Sequence, residues 1–262
     1  MENKIKQLIP AECPWRDTLL WYDRIDSTNA KAKELACSGA AHGTCILAGS
    51  QSAGRGRMGR SFSSPEGMGV YLSLILRPNC PPEQLMHLTC AVAVAMCKAV
   101  EQAAGIRPGI KWINDLVIGK RKLGGILTEL SIQNGMVDYA IVGIGINCRQ
   151  LEPDFPRELQ SIATSLRLAA GKEIDIHVMA AAMIRQLWQL ELFTGKEALM
   201  NAYKENCITL GQDVQLLQAG QIRYGKATDL DENGCLVVDF PDGSRETIGS
   251  GEASIRGMYG YV

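Results

Sequence analysis

Short apolar runs between residues 21 and 147 constrain the fold of this chain more than any other feature. Five of them have the length of strands, at residues 44–48, 70–76, 109–112, 126–132 and 139–146. Most are apolar on both faces instead of alternating with polar residues, which is typical of strands buried in a sheet that helices cover. The pattern therefore argues against a sandwich with one face in water.

Prolines, glycines and helix-capping residues predict three helices. One begins at the Ser-Thr-Asn segment 27–29 and ends near Gly39, since polar side chains cap helix starts and glycine follows helix ends. A second begins after the Pro-Pro pair at 81–82 and ends at Gly105, and a third covers about residues 176–192. Together with the buried strands, these helices indicate an α+β domain.

The last part of the chain changes to strands separated by turn dipeptides. Asn-Gly at 233–234 and Asp-Gly at 242–243 are flanked by β-prone residues, which is the strongest short-range signal for a hairpin. We therefore predict a domain boundary near Thr209, with a larger domain over 1–208 and a small all-β domain over 209–262.

The charge balance argues against a protein that binds nucleic acid over its whole surface. The chain has 27 Lys and Arg against 28 Asp and Glu, a formal net charge of −1. Without a global positive field, affinity for anions has to come from local clusters, of which Arg55, Arg57 and Arg60 form the clearest.

Cysteine and histidine usage argues against a disulfide framework and a histidine-built metal site. The nine cysteines are odd in number and contain no CxxC pair, and the three histidines lack HExxH spacing. The start of the chain lacks a secretory signal, and the longest apolar run, residues 91–97, is far below the roughly 18 residues of a membrane span. We expect a reduced, cytoplasmic protein with no membrane partner.

The segment 54–60, GRGRMGR, gathers three glycines and three arginines. It matches the GxGxxG dinucleotide fingerprint formally, but the sequence that follows, SFSSPEG, does not predict the required helix. Glycines let a backbone approach a ligand, and guanidinium groups bind phosphate or carboxylate oxygens in pairs. We interpret the segment as a ligand-binding loop; a solvated basic loop or a weak RNA contact is the alternative.

A second formal match, to a phosphate-binding loop at 220–227, fails because Ala227 lacks the hydroxyl group that would hold magnesium.

The segment 111–130 carries a second polar cluster, in which Lys111, Asn114 and Asp115 lie within five residues. A lysine can neutralise a nucleotide phosphate while a carboxylate binds its magnesium ion. The alternative is a β-hairpin with a charged tip. The Gly-Gly pair at 124–125 argues against this alternative, because two glycines at the start of a strand predict a close approach of the backbone to another group. Further on, Gly143 and Gly145 interrupt an apolar strand, and we expect a flat ligand to lie against them, with Asn147 available to an amide or adenine edge.

Five motifs, in this order and spacing, resemble those of the biotin protein ligases, and the likeness covers nearly the whole chain. They are DSTN at 26–29, GRGRMGR at 54–60, KWINDL at 111–116, RKLGGILTE at 121–129 and GIGIN at 143–147. The resemblance implies a catalytic domain related to class II aminoacyl-tRNA synthetases and a C-terminal domain of SH3-like type. It also implies the reaction: ATP and biotin give biotinyl-5'-AMP and pyrophosphate, and the biotinyl group then passes to a lysine of a biotin carboxyl carrier protein domain.

The resemblance also implies roles for individual residues. The implied biotin contacts are Ser27, Thr28, Asn29, Gln51, Gly125 and Leu127, with Phe62 where the family often has tryptophan over the ligand. Gly54, Arg55, Gly56 and Arg57 would wrap the ligand, with Arg57 on the phosphate, and Lys122 would contact the biotin carboxylate. Arg60 is a further predicted ligand-binding residue. The nucleotide side would comprise Lys111, Asn114, Asp115 as the Mg²⁺ ligand, and Asn147, and Gly145 is a further predicted ligand-binding residue. Arg57, Lys111 and Lys122 are the implied catalytic residues.

Two departures from the family pattern affect these expectations. Ile113 stands where the family motif has proline, which removes a fixed φ angle and could loosen the turn that holds Asn114. Only about 20 residues precede the DSTN region, too few for the DNA-binding domain that some members carry, so we expect a ligase without one, as a monomer or homodimer.

Two other functions remain open at this point. A lipoate ligase would share the fold and the adenylation chemistry, although the GRGRMGR and RKLGG motifs argue against it. A nucleic-acid-binding module would use the arginines of the 54–60 loop, and its binding would be sensitive to salt.

Overall fold

The computed structural model describes residues 1–190, 195–218, 221–249 and 253–257 of the chain. Its larger part is built on a seven-stranded sheet with the spatial order β1-β2-β3-β7-β6-β5-β4. The strands are β1 Leu19–Ile25, β2 Thr44–Gln51, β3 Gly69–Leu76, β4 Gly109–Lys111, β5 Asp115–Ile118, β6 Arg121–Gln133 and β7 Met136–Asn147. Strands β1 and β2 are parallel, and the other neighbours are antiparallel. The sheet is therefore mixed, and all five predicted strands are present.

Six α-helices accompany the sheet within the residues that the structure describes. They are α1 Glu2–Leu8, α2 Thr28–Cys37, α3 Leu88–Ala104, α4 Leu166–Ala170, α5 Ile176–Trp188 and α6 Lys196–Asn206. The Ser27 hydroxyl caps α2 by accepting a hydrogen bond from the Ala30 amide (3.5 Å), and Gly105 ends α3 with φ 74°. The predicted start of α3 is too early, because the prolines form a separate 3₁₀ turn at Pro82–Leu85. Helix α5 is described as far as Trp188, and its predicted end near residue 192 lies outside the described residues.

Helices pack on both faces of the large sheet, which explains why its strands are apolar on both sides. On β3, Leu72 and Leu74 belong to the main core with α3 and α5, whereas Ile75 belongs to a second cluster with α2. Strand alternation sends neighbouring side chains to opposite faces, so each strand has to satisfy two cores. The face with α2 also carries the candidate site.

A second, all-antiparallel sheet follows, with the order β11-β10-β9-β8-β12. Its strands are β8 Asp213–Gln218, β9 Gln221–Leu230, β10 Leu236–Asp239, β11 Arg245–Ile248 and β12 Ala253–Gly257. Both predicted turns are present: Gly234 and Gly243 adopt φ values of 82° and 84°, which glycine accommodates without strain. Within the described residues, no helix has the length and apolarity needed to cross a membrane.

The small sheet is tied to the loop between β4 and β5. The indole N–H of Trp112 donates to the carbonyl of Gly234 (2.8 Å), and the backbone N–H of Trp112 donates to the Thr209 hydroxyl (2.9 Å). Both bonds are buried, and the first joins residues 122 positions apart. The hairpin turn of the small sheet therefore helps to hold the segment that carries Asn114.

Candidate functional site

An open cavity lies on the α2 face of the large sheet, between the start of α2, the 54–60 loop and strands β6 and β7. It encloses ≈ 480 Å³, its opening to solvent included. Its wall consists of Ser27, Thr28, Asn29, Gln51, Arg55, Gly56, Arg57, Phe62, Asn114, Lys122, Gly125, Ile126, Leu127, Gly143, Ile144 and Gly145. The structure thus brings part of each of the five sequence motifs into one wall, and GIGIN contributes its first three residues.

We use the term helix end for the part of the wall formed by Ser27, Thr28, Asn29 and Gln51. The Gln51 amide oxygen accepts hydrogen bonds from the Thr28 backbone N–H (2.7 Å) and hydroxyl (3.0 Å), and the Gln51 amide N–H donates to the Ser64 hydroxyl (2.8 Å). Ser27, Thr28 and Asn29 are buried. The helix end is a rigid polar surface, suited to a ligand with a compact hydrogen-bonding head.

The glycines of β7 make room for protein side chains. A Cβ atom at Gly143 would overlap the amide of Asn29, and one at Gly145 would overlap the ring of Phe62. The expectation that a flat ligand lies directly against both glycines is therefore wrong in one respect: Asn29 and Phe62 occupy this space. Both glycines still contribute to the cavity wall.

The 54–60 loop closes over the cavity in a compact hairpin-like form. The Gly56 N–H donates to the Arg60 carbonyl (2.7 Å), and the Phe62 N–H donates to the Gly54 carbonyl (2.9 Å). Within the loop, Arg57 reaches across to Asn114 and donates to its amide oxygen (3.1 Å). Burial lowers the pKa of the Arg57 guanidinium from its ordinary value, and the negative charge of Asp115 acts against that shift. A partly desolvated cation of this kind is a strong binding group for an anionic ligand.

We use the term basic end for the part of the wall formed by Arg55, Arg57 and Lys122. The ammonium group of Lys122 contacts the Asp115 carboxylate at 2.7 Å, with the two side chains 29% and 15% exposed. A Cβ atom at Gly125 would lie 3.4 Å from the Lys122 nitrogen, so the second glycine of the Gly-Gly pair leaves space for this side chain. All three cations line the cavity, and two of them, Arg57 and Lys122, contact the neighbouring residues Asn114 and Asp115.

The segment around Asn114 is a true hairpin, as the alternative interpretation of the sequence had it. Asp115 begins β5 and pairs with Lys111, instead of lying in a turn. The Asn114 amide N–H donates to the carbonyl of Ile126 (2.9 Å), and the Ile113 carbonyl accepts from the Tyr203 hydroxyl (3.1 Å). These bonds hold the segment in place, although Ile113 stands where the family motif has proline.

Five of the predicted site residues lie outside the cavity wall: Gly54, Arg60, Lys111, Asp115 and Asn147. Asn147 is buried and donates to the Thr164 carbonyl (3.0 Å), while its amide oxygen accepts from Gln150 (3.1 Å). Its assignment to adenine stays a prediction. Sequence analysis missed Ile126 and Ile144 as wall residues, because apolar residues in buried strands carry no signal that separates a cavity wall from a core.

Comparison with known proteins places this chain in a family. The profile described as "Biotin/lipoate A/B protein ligase family" matches residues 21–147, and the one described as "Biotin protein ligase C terminal domain" matches residues 209–256. The biotin–acetyl-CoA-carboxylase ligase of Paracoccus denitrificans is 32% identical to this chain over 243 residues, which cover 89% of this chain and 99% of that protein. The chain belongs to the biotin protein ligase family.

Two further relatives agree with this membership. The bifunctional ligase/repressor BirA of Bacillus subtilis is 39% identical over 234 residues, which cover 87% of this chain and 71% of the relative. Among solved structures, the biotin protein ligase of Aquifex aeolicus in complex with biotin and ATP has a TM-score of 0.77 and 32% identity, covering 91% of this chain and 98% of that one. Biotin protein ligases thus resemble this chain in both sequence and architecture.

Proposed function

We infer that this protein is a biotin protein ligase that activates biotin with ATP and transfers it to a lysine of a biotin carboxyl carrier protein. The observation that carries this inference is a cavity with a polar helix end and a cationic basic end, in a chain whose relatives are named for biotin ligation. Biotin combines a hydrogen-bonding ring with a carboxylate at the end of an apolar tail. The two ends of the cavity match these two parts.

The helix end would hold the ring of biotin. Thr28 and Gln51 supply hydroxyl and amide groups there, and the wall at Gly125 and Leu127 would line the tail. The carboxylate would then lie at the basic end beside Lys122. In this orientation, one carboxylate oxygen can attack the α-phosphorus of ATP, and pyrophosphate leaves.

The basic end would stabilise the charge that develops in this step. Two anions have to meet, so the site needs fixed cations more than it needs a protein nucleophile. We assign Lys122 to the biotin carboxylate and the developing acyl phosphate, and Arg57 to the phosphate of the adenylate. In the second step, the carrier lysine attacks the acyl carbon, AMP leaves, and no covalent enzyme intermediate is needed.

The nucleotide side would be completed by residues at the rim and behind the wall. We assign Asn114 and Lys111 to ATP, and Asn147 to adenine. Among the described residues there is no group of three or more His, Cys, Asp or Glu side chains arranged to hold a metal. One carboxylate, that of Asp115, fits the magnesium ion of ATP, because Mg²⁺ commonly binds through one or two carboxylates together with substrate phosphates.

Several finer features belong to the same proposal. We propose the class II aminoacyl-tRNA-synthetase type of fold for the mixed sheet, an SH3-like barrel for the small sheet, and a domain boundary at 208/209. The start of β8 at Asp213 supports that boundary. We also propose a monomer or homodimer in the cytoplasm; the nine free thiols are compatible with a reducing compartment.

The test is pyrophosphate exchange into ATP, run with biotin and separately with lipoate and without a carrier protein. Exchange with biotin alone supports the ligase, and transfer to a carrier domain then completes the assignment. Exchange with lipoate alone would move the activity to the other branch of the family. Exchange with neither would leave the nucleic-acid module as the hypothesis to test, by salt-dependent binding to single strands.

A further inference from the structure

Glu129 continues the cavity face of β6 beyond the residues that line the cavity. Gly125 and Leu127 lie in the wall, and strand alternation places Glu129 on the same face, next to α2. The intervening Thr128 faces the opposite side, where its hydroxyl oxygen lies 3.1 Å from that of Thr89 on α3. A carboxylate therefore stands immediately beside the helix end.

Glu129 and a buried serine fix the amide of Asn29. The Asn29 N–H donates to the Glu129 carboxylate (2.8 Å), and the Asn29 amide oxygen accepts from the Ser73 hydroxyl (2.6 Å). Asn29 is 4% exposed and Ser73 is 0% exposed. Since the acceptor lies on one side and the donor on the other, only one orientation of the amide satisfies both. The missing side chain at Gly143 provides the space that this amide occupies.

These bonds tie the first turn of α2 to the sheet. The neighbouring residue, Thr28, is bonded through its backbone and its hydroxyl to Gln51 on β2. Asn29 adds bonds to β3 and β6, so three strands together set where the Thr28 hydroxyl lies. A polar binding surface depends on such support, because a displacement of a fraction of an ångström weakens its hydrogen bonds to a ligand.

We propose that Glu129 is a positioning residue, which holds the Asn29 amide and through it the helix end in the geometry that binds the ring of biotin. This inference rests on the proposed function. Glu129 does not line the cavity and does not touch the ligand in this scheme. Its effect should therefore fall on biotin affinity and not on the chemical step.

Glu129→Ala removes the nearer acceptor of the Asn29 amide group, at 2.8 Å, and leaves only the Leu127 carbonyl at 3.5 Å. We expect the KM for biotin in pyrophosphate exchange to rise about tenfold or more, as for loss of a hydrogen bond to a charged group. The KM for ATP and kcat should change by less than about twofold, because the basic end is unaffected. Glu129→Gln keeps an acceptor oxygen and should restore most of the biotin affinity. The matched control is Glu34→Ala, which removes a glutamate on the exposed side of α2 that pairs with Lys31.

A double-mutant cycle tests whether Glu129 acts through Asn29. In an Asn29→Ala background, Glu129→Ala should add less than about twofold to the biotin KM, since its partner is already absent. Gly143→Ala places a methyl group in the space of the same amide and should give the same selective rise. This variant also covers the case in which Glu129→Ala folds poorly. Thermal unfolding of each variant accompanies the kinetics.

The outcomes separate this inference from the proposed function. Wild-type protein without biotin-dependent exchange would overturn the proposed function. Active wild-type protein would overturn the inference alone under any of three results: unchanged biotin KM in Glu129→Ala and Gly143→Ala, multiplicative effects in the cycle, or no restoration by Glu129→Gln.

Discussion

Replacement of Lys122 by methionine tests the proposed basic end most directly. The substitution keeps the apolar stem but removes the ammonium group that lies 2.7 Å from Asp115. A charge pair at about 4 Å is worth about 4 kcal/mol at an effective dielectric constant near 20. Because the Lys122 side chain is 29% exposed, solvent screening reduces this, and we expect a loss of about 2 to 3 kcal/mol in the adenylation transition state.

This loss predicts a fall of about 30- to 150-fold in the rate of biotin-dependent pyrophosphate exchange. Lys204→Met is the matched control: Lys204 also forms a 2.7 Å ion pair, with Asp229, and its side chain is 33% exposed. It lies outside the cavity wall and should leave exchange within about twofold of wild type, which separates a local effect from a general loss of an ion pair.

The substitution also leaves the Asp115 carboxylate without its lysine partner, so a second variant has to separate stability from catalysis. Asp115→Asn combined with Lys122→Met should recover thermal stability, since it removes the carboxylate as well. It should not recover exchange, because it lacks both the lysine cation and the carboxylate that we assign to the magnesium ion. A double variant with wild-type exchange would refute the assigned role and reduce Lys122 to a counterion of Asp115.

Three further perturbations test other parts of the site. Arg57→Ala should release biotinyl-AMP about tenfold faster in the absence of carrier while the biotin KM stays within about threefold; unchanged release would remove Arg57 from the adenylate. Gly145→Ala should destabilise the protein by about 1 to 3 kcal/mol in urea unfolding, because the new methyl group overlaps Phe62. Adding Phe62→Ala should relieve part of this cost, and a Gly145→Ala variant as stable as wild type would contradict the packing described. Iodoacetamide at pH 8 should alkylate exposed Cys37 well before Cys148, since burial raises the pKa of the Cys148 thiol to about 12, and equal labelling in peptide mass spectrometry would contradict this.

The sequence is informative wherever a structural cause is local. Helix α2 follows from its Ser27 cap, and α3 ends at a glycine with positive φ. The two turns of the small sheet follow from their Asn-Gly and Asp-Gly dipeptides, because these conformations depend on the residues themselves. The predicted start of α3 is wrong, because a Pro-Pro pair favours a helical turn but does not decide whether a 3₁₀ turn or an α-helix forms.

The details of the site depend on contacts between distant segments, which a motif cannot reveal. The bonds from Asn29 reach Ser73, 44 residues away, and Glu129, 100 residues away. Asn29 belongs to a predicted motif and lies in the cavity wall, yet no local pattern says that Glu129 is its partner.

The glycines of β7 show how this limits inference from sequence. A glycine in an apolar strand indicates that something approaches its backbone, but not whether that is a ligand or another side chain. At Gly143 it is Asn29, and at Gly145 it is Phe62. The cavity is thus bounded by side chains that themselves need these glycines, so substitutions at either position should act on biotin through Asn29 or Phe62 and not through direct contact alone.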